Sequence, residues 1–571
     1  MPIEILEDRI APAGFLVTTL ADSGANSLRE AILTIDTSQD ATNSIAFANG
    51  MHGTITLKSP LPAITVSVTI GGSTDARITI SGNNDYQIFS VTGGSLNVNF
   101  TDLTFEHGNS QNVGLTPGNG GGALYVNDYG GILKVTNCTI TKNRAQGTSG
   151  ATESSGLGGA IDLVAGTLNL TGSRVTGNLA QGGSSSIPGT SGRSGEGGGV
   201  YVGSSGTLVI TDSIISGNTA RGGNGSNGAR GANAPAGVAG YYGGRGGGGG
   251  NGEGGGIWSY GITTVNKTTV SGNVAVGGKG GNGGAGGKGG SGADGGDGGG
   301  GGYAGFGEGG GIYATGSSSY VHYTLTLLSS TISGNAANGS QSGHGVPGAL
   351  GGGHGGKTGG HGYSPHASVG YGGGVHTEYA TLEMVDSTVA KNAANKGGGM
   401  FFYENQATQL DNSTIAFNHA REGAQGGGVW AYIETANPVL VISTVIGENT
   451  TGGRGAGQDL CVNLNPSGTA SETINAFSSL IESYSVGSIL EPNSDFPDII
   501  TGVSPKLGQL HANGGYTLTC LPADNSPLVG AGIEPVSLGS EIPNLPIVND
   551  DQRGHLRAIA GTVDIGSVEV A

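Results

Sequence analysis

The chain has 571 residues, of which 121 are glycine, 35% are hydrophobic and 5% are aromatic, and its formal net charge is −18. A charge of this sign argues against nucleic acid as a partner, because the phosphates would be repelled. No stretch approaches the ~18 apolar residues that a membrane-spanning helix needs, so we expect no membrane span.

The N-terminal region, residues 15–95, has several strand-like runs interrupted by one helix signal. Asn26 or Ser27 can cap a helix whose first turn contains Glu30. The apolar side chains on one face of this helix are Leu28, Ile32 and Ile35. We predict a short amphipathic helix that closes the open end of a solenoid and covers its unpaired edge.

A repeat that ends in Asn recurs eight times between residues 96 and 450. Aliphatic residues stand three and eight positions before each Asn, and a hydroxyl or thiol stands five positions before it, Cys138 in the first repeat. Two short runs of period two indicate strands, and a third strand signal follows each Gly-rich stretch. The pattern predicts an all-β fold, a right-handed parallel β-helix with three strands per coil. The repeated residues are Asn143, Asn178, Asn218, Asn273, Asn335, Asn392, Asn418 and Asn449.

These asparagines predict an interior ladder and not a catalytic row. Equivalent residues on successive coils of a parallel β-helix lie roughly 4.8 Å apart. An Asn at an interior bend can then bond the backbone of its neighbours and satisfy groups that would otherwise have no partner. An Ala two positions after most of these asparagines suggests a tight interior corner.

All variation in the length of the coils is confined to one Gly-rich corner. Residues 277–300 read as Gly-rich triplets, and residues 221–256 and 338–374 are similar but less regular. A period of three favours an extended helix of the polyproline-II type, and bare glycines would let such helices pack into a polyglycine-II side layer. The alternative is a set of mobile Gly-rich linkers.

An outward-facing aromatic row follows the third strand signal of each coil, by strand alternation. It contains both tryptophans, and its candidate ligand-binding residues are Tyr201, Trp258, Tyr313, Phe401 and Trp430. Such a row can stack on sugar rings. Alternatively, the Gly-rich loops fold over the row and bury it. Long loops predict burial from Tyr201 to His376, and short loops predict exposure of Phe401 and Trp430.

A second row carries Glu196, Glu253 and Glu308 on consecutive coils. Carboxylates about 5 Å apart repel by roughly 1 kcal/mol in water and by more near an apolar surface. Relief can come from a bound cation such as Ca²⁺, from a shared proton or from splayed side chains. The alternative is that each Glu caps backbone N–H groups of the following glycines.

Other polar residues give weaker patterns. His344, His354, His361, His366 and His376 cluster in one long loop, with spacing too irregular to define a metal site. Cys461 and Cys520 lie outside the repeats, and the sequence leaves open whether they pair.

Several segments resemble bacterial exported proteins of the right-handed β-helix, pectin-lyase-like superfamily. LEDRIAPA at 6–13 is similar to an N-terminal motif of exported or envelope proteins, and FLVTTLADSGANSLREAI at 15–32 resembles the first coil of polymorphic-outer-membrane-type proteins. LGQLHANGGYTLT at 507–519, SPL at 526–528, DQRG at 551–554 and DIG at 564–566 resemble a choice-of-anchor C-terminal region. The resemblance implies an extracellular or cell-surface location, although residues 1–14 lack the basic start and apolar core of a Sec signal.

The resemblance and the repeat together divide the chain into four regions. We predict an export-type motif at 1–14, a cap with the first coils at 15–95, β-helix repeats at 96–450, and the last coils with a cap or anchor-like region at 451–571.

The leading functional hypothesis is a non-enzymatic surface scaffold or adhesin that binds polysaccharide or another cell-envelope component. The alternative is a polysaccharide lyase or glycoside hydrolase, since the superfamily hosts both. No basic residue stands beside the three glutamates, as a lyase would require. A hydrolase needs two carboxylates about 5–9.5 Å apart, and Glu253 with Glu196 or Glu308 is the candidate pair.

Overall fold

The structure is a computed structural model, and its described part forms an all-β parallel β-helix, as the repeat predicts. The described residues are 13–37, 43–72, 77–112, 120–150, 153–317, 323–353, 355–421, 426–433, 439–453, 457–464, 474–485, 489–490, 499–533, 549–557 and 563–570. Most of the LEDRIAPA motif and His354 lie outside these residues.

The first sheet forms the longest side of the coil and has 21 strands in the described part of the chain. Its strands are Ala13–Val17, Asn43–Phe47, Val68–Gly71, Phe89–Gly94, Asn97–Thr101, Leu124–Thr136, Ile161–Thr171, Val200–Thr211, Ile257–Ser259, Ile262–Asn266, Ile312–Thr315, Thr324–Leu328, Val375–Glu378, Thr381–Val385, Met400–Tyr403, Ala407–Asp411, Val429–Ile433, Val439–Ile442, Leu460–Leu464, Ile474–Phe477 and Ile489–Leu490.

The second sheet follows the first after a tight bend. Its strands are His52–Thr56, Arg77–Ser81, Leu103–Glu106, Thr139–Thr141, Arg174–Thr176, Ile214–Ser216, Thr269–Ser271, Thr331–Ser333, Thr388–Ala390, Thr414–Ala416, Val445–Gly447, Leu480–Ile481 and Ile500–Thr501. A short 3-10 turn at Ser110–Asn112 interrupts the early coils.

The third and fourth sheets lie on the two sides of the Gly-rich insertions. The third sheet has the strands Arg144–Gln146, Leu179–Gln181, Thr219–Arg221, Val274–Val276, Ala336–Asn338, Ala393–Ala394, His419–Ala420 and Thr450–Thr451. The fourth sheet has the strands Gly156–Leu157, Gly195–Glu196, Gly252–Glu253, Gly307–Glu308 and Gly370–Tyr371.

The assignment of strands to sides differs from the sequence expectation in two respects. The strand signal after the Gly-rich stretch and the first apolar run of the repeat share the first sheet, and the single strand Val200–Thr211 contains both. The third side is instead built by the short strands around the repeated alanines. Ala220 is fully buried within its strand, so this alanine lines the core wall and does not form a corner.

The Asn ladder runs through the interior, as predicted. Asn218 N and Nδ2 both donate to Oδ1 of Asn273 at 2.9 Å, and Asn218 Nδ2 also donates to the Val175 carbonyl at 2.9 Å. The same bonds join the asparagines from Asn143 to Asn449. At the far end Asp459 takes the role of the next amide, because its Oδ1 accepts from Asn449 N at 2.9 Å. Each coil is thereby locked to the next.

The cysteines are free thiols. Cys138 is buried in the hydroxyl ladder, where its backbone N donates to Ser173 Oγ at 3.1 Å. Cys461 and Cys520 are also unpaired, so the possible bridge between them does not form.

The N-terminal helix spans Leu28–Ile35 and confirms the sequence prediction. Ser27 is its N-cap, and the Ser27 hydroxyl accepts from Glu30 N at 3.2 Å. Leu28, Ile32 and Ile35 are fully buried against the first coils. In the described part of the chain, no helix has the length and apolarity to cross a membrane.

The Gly-rich insertions form an ordered side layer, which we call the polyglycine layer. Each long insertion leaves the third sheet as an outgoing leg (222–236, 277–291 and 338–352) and comes back to the fourth sheet as a return leg (240–252, 294–307 and 356–370). Backbone hydrogen bonds join equivalent legs of successive coils at every third residue, as in Gly225, Gly228 and Gly231 donating to the carbonyls of residues 279, 282 and 285. This three-residue period is that of polyglycine-II helices and not that of a mobile linker.

The layer is two legs thick. Return-leg amides donate to their own outgoing leg, as Gly244 does to Ala229 at 2.7 Å, and outgoing-leg amides donate to the preceding return leg, as Gly284 does to Gly244 at 2.8 Å. Side-chain amides extend the network, because Asn227 Oδ1 accepts from Asn282 N at 2.9 Å. Because the period of the legs is three residues, every third residue of a leg points to the outside of the layer, and these residues form one exposed row on each leg.

The C-terminal segments fold back across the second sheet. Gln552 accepts from Thr388 Oγ1 at 2.6 Å and donates to Thr331 Oγ1 at 2.9 Å, which ties it to two coils. Arg557 forms a buried ion pair with Asp386, in which Nε donates at 2.9 Å. Gln552, which lies in the DQRG segment that resembles an anchor region, and Arg557 thus attach the C-terminal segments to the β-helix.

Candidate functional site

The aromatic row forms one continuous column on the outer face of the first sheet. Directly paired strands align Tyr125, Asp162, Tyr201, Trp258, Tyr313, His376, Phe401, Trp430 and Cys461, which we call the aromatic column. The residues before and after Tyr201 in its strand, Val200 and Val202, are fully buried in the core, so Tyr201 points away from it. The register of the row is as predicted.

Ring contacts run without a break from Tyr201 to Trp430 in this column, and the widest of them separates the Trp258 and Tyr313 centroids by 6.3 Å. Tyr201 stacks on Trp258 with centroids 4.6 Å apart and planes 4° apart. Tyr313 lies 4.8 Å from His376, His376 lies 4.7 Å from Phe401, and Phe401 stacks on Trp430 at 4.6 Å. The column is therefore a second packed cluster outside the main core.

The predicted exposure of Phe401 and Trp430 is wrong. Phe401 is 4% exposed and Trp430 is 6% exposed, although their neighbouring loops are short. The Tyr371 ring lies 4.8 Å from Phe401, and the ammonium of Lys396 lies 5.3 Å from the Trp430 ring. Long side chains beside the fourth sheet cover Phe401 and Trp430, whereas the sequence analysis considered only the Gly-rich loops as cover.

Glu196, Glu253 and Glu308 are aligned on adjacent strands of the fourth sheet, and we call them the acidic column. The Trp258 indole N–H donates to Glu253 Oε2 at 3.0 Å, and Asn251 Nδ2 donates to Glu308 Oε2 at 3.2 Å. Side chains therefore bind these carboxylates, which differs from the backbone capping proposed as an alternative.

Burial is the main cause of the raised pKa of each carboxyl group in the acidic column. The pKa of Glu196 rises to about 8, because of burial first and the charge of Glu253 second. The pKa of Glu308 rises through burial and then through the charges of Glu253 and Glu378. Each raised pKa favours the neutral carboxyl group, and a neutral group would relieve the repulsion between consecutive carboxylates.

The structure provides no ready metal centre in its described part. No three or more His, Cys, Asp and Glu side chains there are arranged to hold an ion. Calcium at the acidic column, one of the ways of relief that the sequence analysis offered, therefore stays an untested hypothesis. His376 lies in the aromatic column, where burial lowers its pKa to about 3, and both of its ring nitrogens lack a hydrogen-bond partner in the described structure.

A second outward column lies beside the aromatic column on the last coils. Strand pairing aligns Glu378, Tyr403, Tyr432 and Asn463, which we call the outer column. Tyr403 and Tyr432 stack with centroids 5.0 Å apart and planes 6° apart. The sequence analysis missed these residues, although each stands two positions after a member of the aromatic row and so faces the same way.

The three columns enclose an open groove of about 470 Å³, which we call the aromatic groove. It is lined by Phe306, Glu308, Tyr371, His376, Glu378, Lys396, Phe401, Tyr403, Trp430, Tyr432 and Asn463. Of the predicted site residues, the groove brings together Glu308, Phe401 and Trp430. Glu196, Glu253, Tyr201, Trp258 and Tyr313 lie along the same columns but do not line the groove.

The groove combines stacking surfaces with a few polar groups. The half-buried rings of Tyr403 and Tyr432 form a flat side, and the Tyr313 hydroxyl fixes Glu378 by donating to its Oε2 at 2.7 Å. Lys396 supplies one positive charge above the Trp430 ring. Such a site can stack a ligand ring and bond to its hydroxyl groups.

A second cavity of about 460 Å³ lies farther along the first sheet, toward the N-terminal coils. Its lining is mostly glycine, serine and threonine, with Tyr129 and Tyr323 at its edges. None of the described residues that line it is a carboxylate, and the aromatic groove is the better candidate for chemistry.

Two solved structures resemble this chain over most of its length. The periplasmic alginate epimerase AlgG is 7% identical, with 86% of this chain and 84% of that chain covered and a TM-score of 0.35. A mannuronic acid specific polysaccharide family 6 lyase from human gut microbiota is 9% identical, with 86% and 82% covered and a TM-score of 0.29. Likeness at this level carries no argument about activity. No protein-family model and no curated protein sequence matches the chain.

The fold and the groove together define the class of this protein. It is a parallel β-helix that carries a polyglycine layer at one corner and an open aromatic groove beside that layer.

Proposed function

We propose that this chain is a bacterial extracellular or cell-surface β-helix that binds polysaccharide in its aromatic groove, as an adhesin or scaffold does. The observation that carries the proposal is the flat, half-buried pair of Tyr403 and Tyr432 beside groups that can bond to hydroxyls. Sugar rings present apolar faces and polar edges, and tyrosine offers the matching combination at a low cost in conformational entropy.

Charge and geometry support a carbohydrate over other partners. The net charge of −18 repels nucleic acid. The groove has the carboxyl groups of Glu308 and Glu378, the second of which is held by the Tyr313 hydroxyl, together with one ammonium and the Asn463 side chain along an open channel. Such a mixed set suits a polymer of hydroxyl-rich rings better than a strongly charged partner.

A second candidate function is glycoside hydrolysis in the same groove. Both Glu308 and Glu378 line the groove, and burial raises the pKa of Glu308, as a general acid requires. We prefer this pair to the pairing of Glu253 with Glu196 or Glu308 that the sequence suggested, because Glu196 and Glu253 do not line the groove.

The experiment that tests binding is affinity electrophoresis of the full chain in gels that contain alginate, polygalacturonate, a β-glucan or chitosan. We expect retention by at least one polymer. Replacing Tyr403 or Tyr432 by Ala should weaken that retention by roughly 1–3 kcal/mol, by analogy with the loss of one aromatic platform on which a nucleic-acid base stacks. Tyr516→Ala is the matched control, because Tyr516 is 58% exposed and lies outside the groove.

Release of reducing ends, measured with the same polymers, separates the two candidate functions. Retention without release supports the binding protein, whereas release that disappears in Glu308→Gln supports the hydrolase. Absence of retention and of release across the panel would refute both.

A further inference from the structure

The outer face of the return legs carries a row of exposed aromatic rings. Tyr242 is 75% exposed, Tyr303 is 56% exposed and Tyr363 is 61% exposed. The guanidinium of Arg245 lies over the Tyr303 ring, 4.8 Å from its centroid. The cost of leaving large aromatic side chains in water suggests a binding function for this face.

This row continues the aromatic groove. Phe306, at the end of a return leg, is 39% exposed and also lines the groove. Its ring lies 5.8 Å from Tyr371, which lies 4.8 Å from Phe401 on the groove floor. Tyr303 stands three residues before Phe306, one turn of the polyglycine-II helix or roughly 9 Å away. The rings therefore lead from the groove onto the polyglycine layer.

The opposite face of the layer has a different chemistry. The outward row of the outgoing legs includes the exposed residues Lys279, Asn282 and Lys288. Asn282 Oδ1 is occupied by His344 N at 2.9 Å, and Asn233 Oδ1 by Lys288 N at 2.8 Å. Aromatic residues thus concentrate on the face that adjoins the groove, and amides and cations on the other face.

The backbone of the layer makes a rigid support. The return-leg amides of Gly246 and Gly249 donate to the carbonyls of Gly300 and Tyr303 at 2.9 and 2.8 Å, so neighbouring legs hold their side chains in fixed register. Because the backbone is fixed, the aromatic side chains keep a constant spacing along the layer, and less freedom is lost when a ligand stacks on them.

We propose that the return-leg face is an extended subsite that carries a polysaccharide chain beyond the aromatic groove, through Phe306, Tyr303, Arg245 and Tyr363. This inference rests on the proposed function, because the groove holds the first part of the same chain. The occupant is a polysaccharide longer than the groove, whose successive rings stack on the exposed aromatic side chains.

The test compares short and long fragments of the same polymers by calorimetry, using trisaccharides and decasaccharides of alginate and of the β-glucan with the full chain. We expect decasaccharides to bind more tightly than trisaccharides. Tyr303→Ala and Tyr363→Ala should each weaken decasaccharide binding roughly fivefold or more, as for the loss of one stacking platform, and leave trisaccharide binding unchanged. Leu350→Ala is the matched control, because Leu350 is 67% exposed on the outgoing-leg face.

The outcomes separate this inference from the proposed function. Trisaccharide binding with no gain for decasaccharides, or equal decasaccharide affinity in Tyr303→Ala and wild type, overturns the extended subsite and keeps the groove. Absence of binding by every fragment overturns both. Sedimentation velocity on the same variants identifies the rival occupant, since a change of oligomeric state in Tyr303→Ala without loss of glycan affinity would assign the face to a second copy of the chain.

Discussion

The indole N–H of Trp258 donates a hydrogen bond of 3.0 Å to Oε2 of Glu253, so a single coil joins the aromatic column to the acidic column. The two residues stand five positions apart in sequence, on either side of the corner where the return leg enters the first sheet. A change in the protonation state of the Glu253 carboxyl group therefore acts directly on the packing of Trp258 in the aromatic column. We therefore expect the acidic column to affect the stability of the fold.

Raising the pH should destabilise the protein through the acidic column. The pKa of Glu196 is raised from 4.5 to about 8, and burial also raises the pKa values of Glu253 and Glu308. The pKa of Glu196 in the folded state lies above its unfolded-state value. The contribution of this group to the free energy of unfolding is therefore fully present below pH 4.5 and is lost as the pH rises through about 8. Calorimetric melting temperatures across this window should fall less steeply for the triple variant Glu196→Gln, Glu253→Gln, Glu308→Gln. Equal slopes would contradict the prediction.

Calcium should bind the acidic column weakly or not at all at neutral pH. Burial raises the pKa of all three carboxyl groups, and a carboxyl group must lose its proton before it binds Ca²⁺, so calcium binding has to overcome the cost of ionisation. Titration calorimetry of wild type and of the same triple variant should therefore give equal heats. A calcium heat present in wild type and absent in the variant would restore the cation hypothesis.

Removing one rung of the Asn ladder should be strongly destabilising. Asn273 is fully buried, accepts from Asn218 and donates to the Ile215 carbonyl at 2.9 Å. Asn273→Ala removes the acceptor of the buried Asn218 N–H and one donor to the Ile215 carbonyl, and each buried group left unsatisfied costs about 1–3 kcal/mol in the free energy of unfolding. Asn282→Ala is the control. Asn282 Oδ1 accepts from the N–H of the exposed residue His344, and in the variant this N–H can donate to water. Urea denaturation measures both, and similar losses would show that the interior ladder is not a special source of stability.

The ion pair of Arg557 and Asp386 should hold the C-terminal segment on the β-helix. Both side chains are 1% exposed, and burial raises the pKa of Asp386 to about 7 against the opposing effect of Arg557. Arg557→Ala leaves a buried carboxylate without its partner and should cost about 3–5 kcal/mol of unfolding free energy. The exposed Arg230→Ala should change it by less than about 0.5 kcal/mol. If Arg557→Ala with Asp386→Leu is no more stable than Arg557→Ala alone, the unpaired charge is not the cause.

A single methyl group should disrupt the polyglycine layer. A Cβ at Gly284 would lie 1.9 Å from the Ala229 carbonyl oxygen, so Gly284→Ala must separate two legs. A Cβ at Gly353 would meet nothing within 4 Å, and Gly353→Ala is the matched control. We expect amide hydrogen exchange at 222–252 and 277–307 to accelerate in Gly284→Ala only. Unchanged exchange would mean that the legs are held by something other than their close backbone contact.

The sequence by itself determined the features that repeat along the chain. The Asn ladder, the cap helix at Ser27 and the register of the aromatic and acidic columns follow from spacing, because equivalent positions of a solenoid stack whatever lies around them. The triplets of residues 277–300 predicted the polyglycine layer for the same reason, since a local period fixes a local conformation.

Only the tertiary structure decided what covers each face. Trp430 is buried by Lys396 and Tyr432, and the groove combines side chains from successive coils with Phe306 at the end of a return leg. The ion pair of Arg557 and Asp386 joins residues that are 171 positions apart. Burial depends on which distant segments come to lie against a surface, and a repeat pattern specifies the stacking of coils without specifying those neighbours.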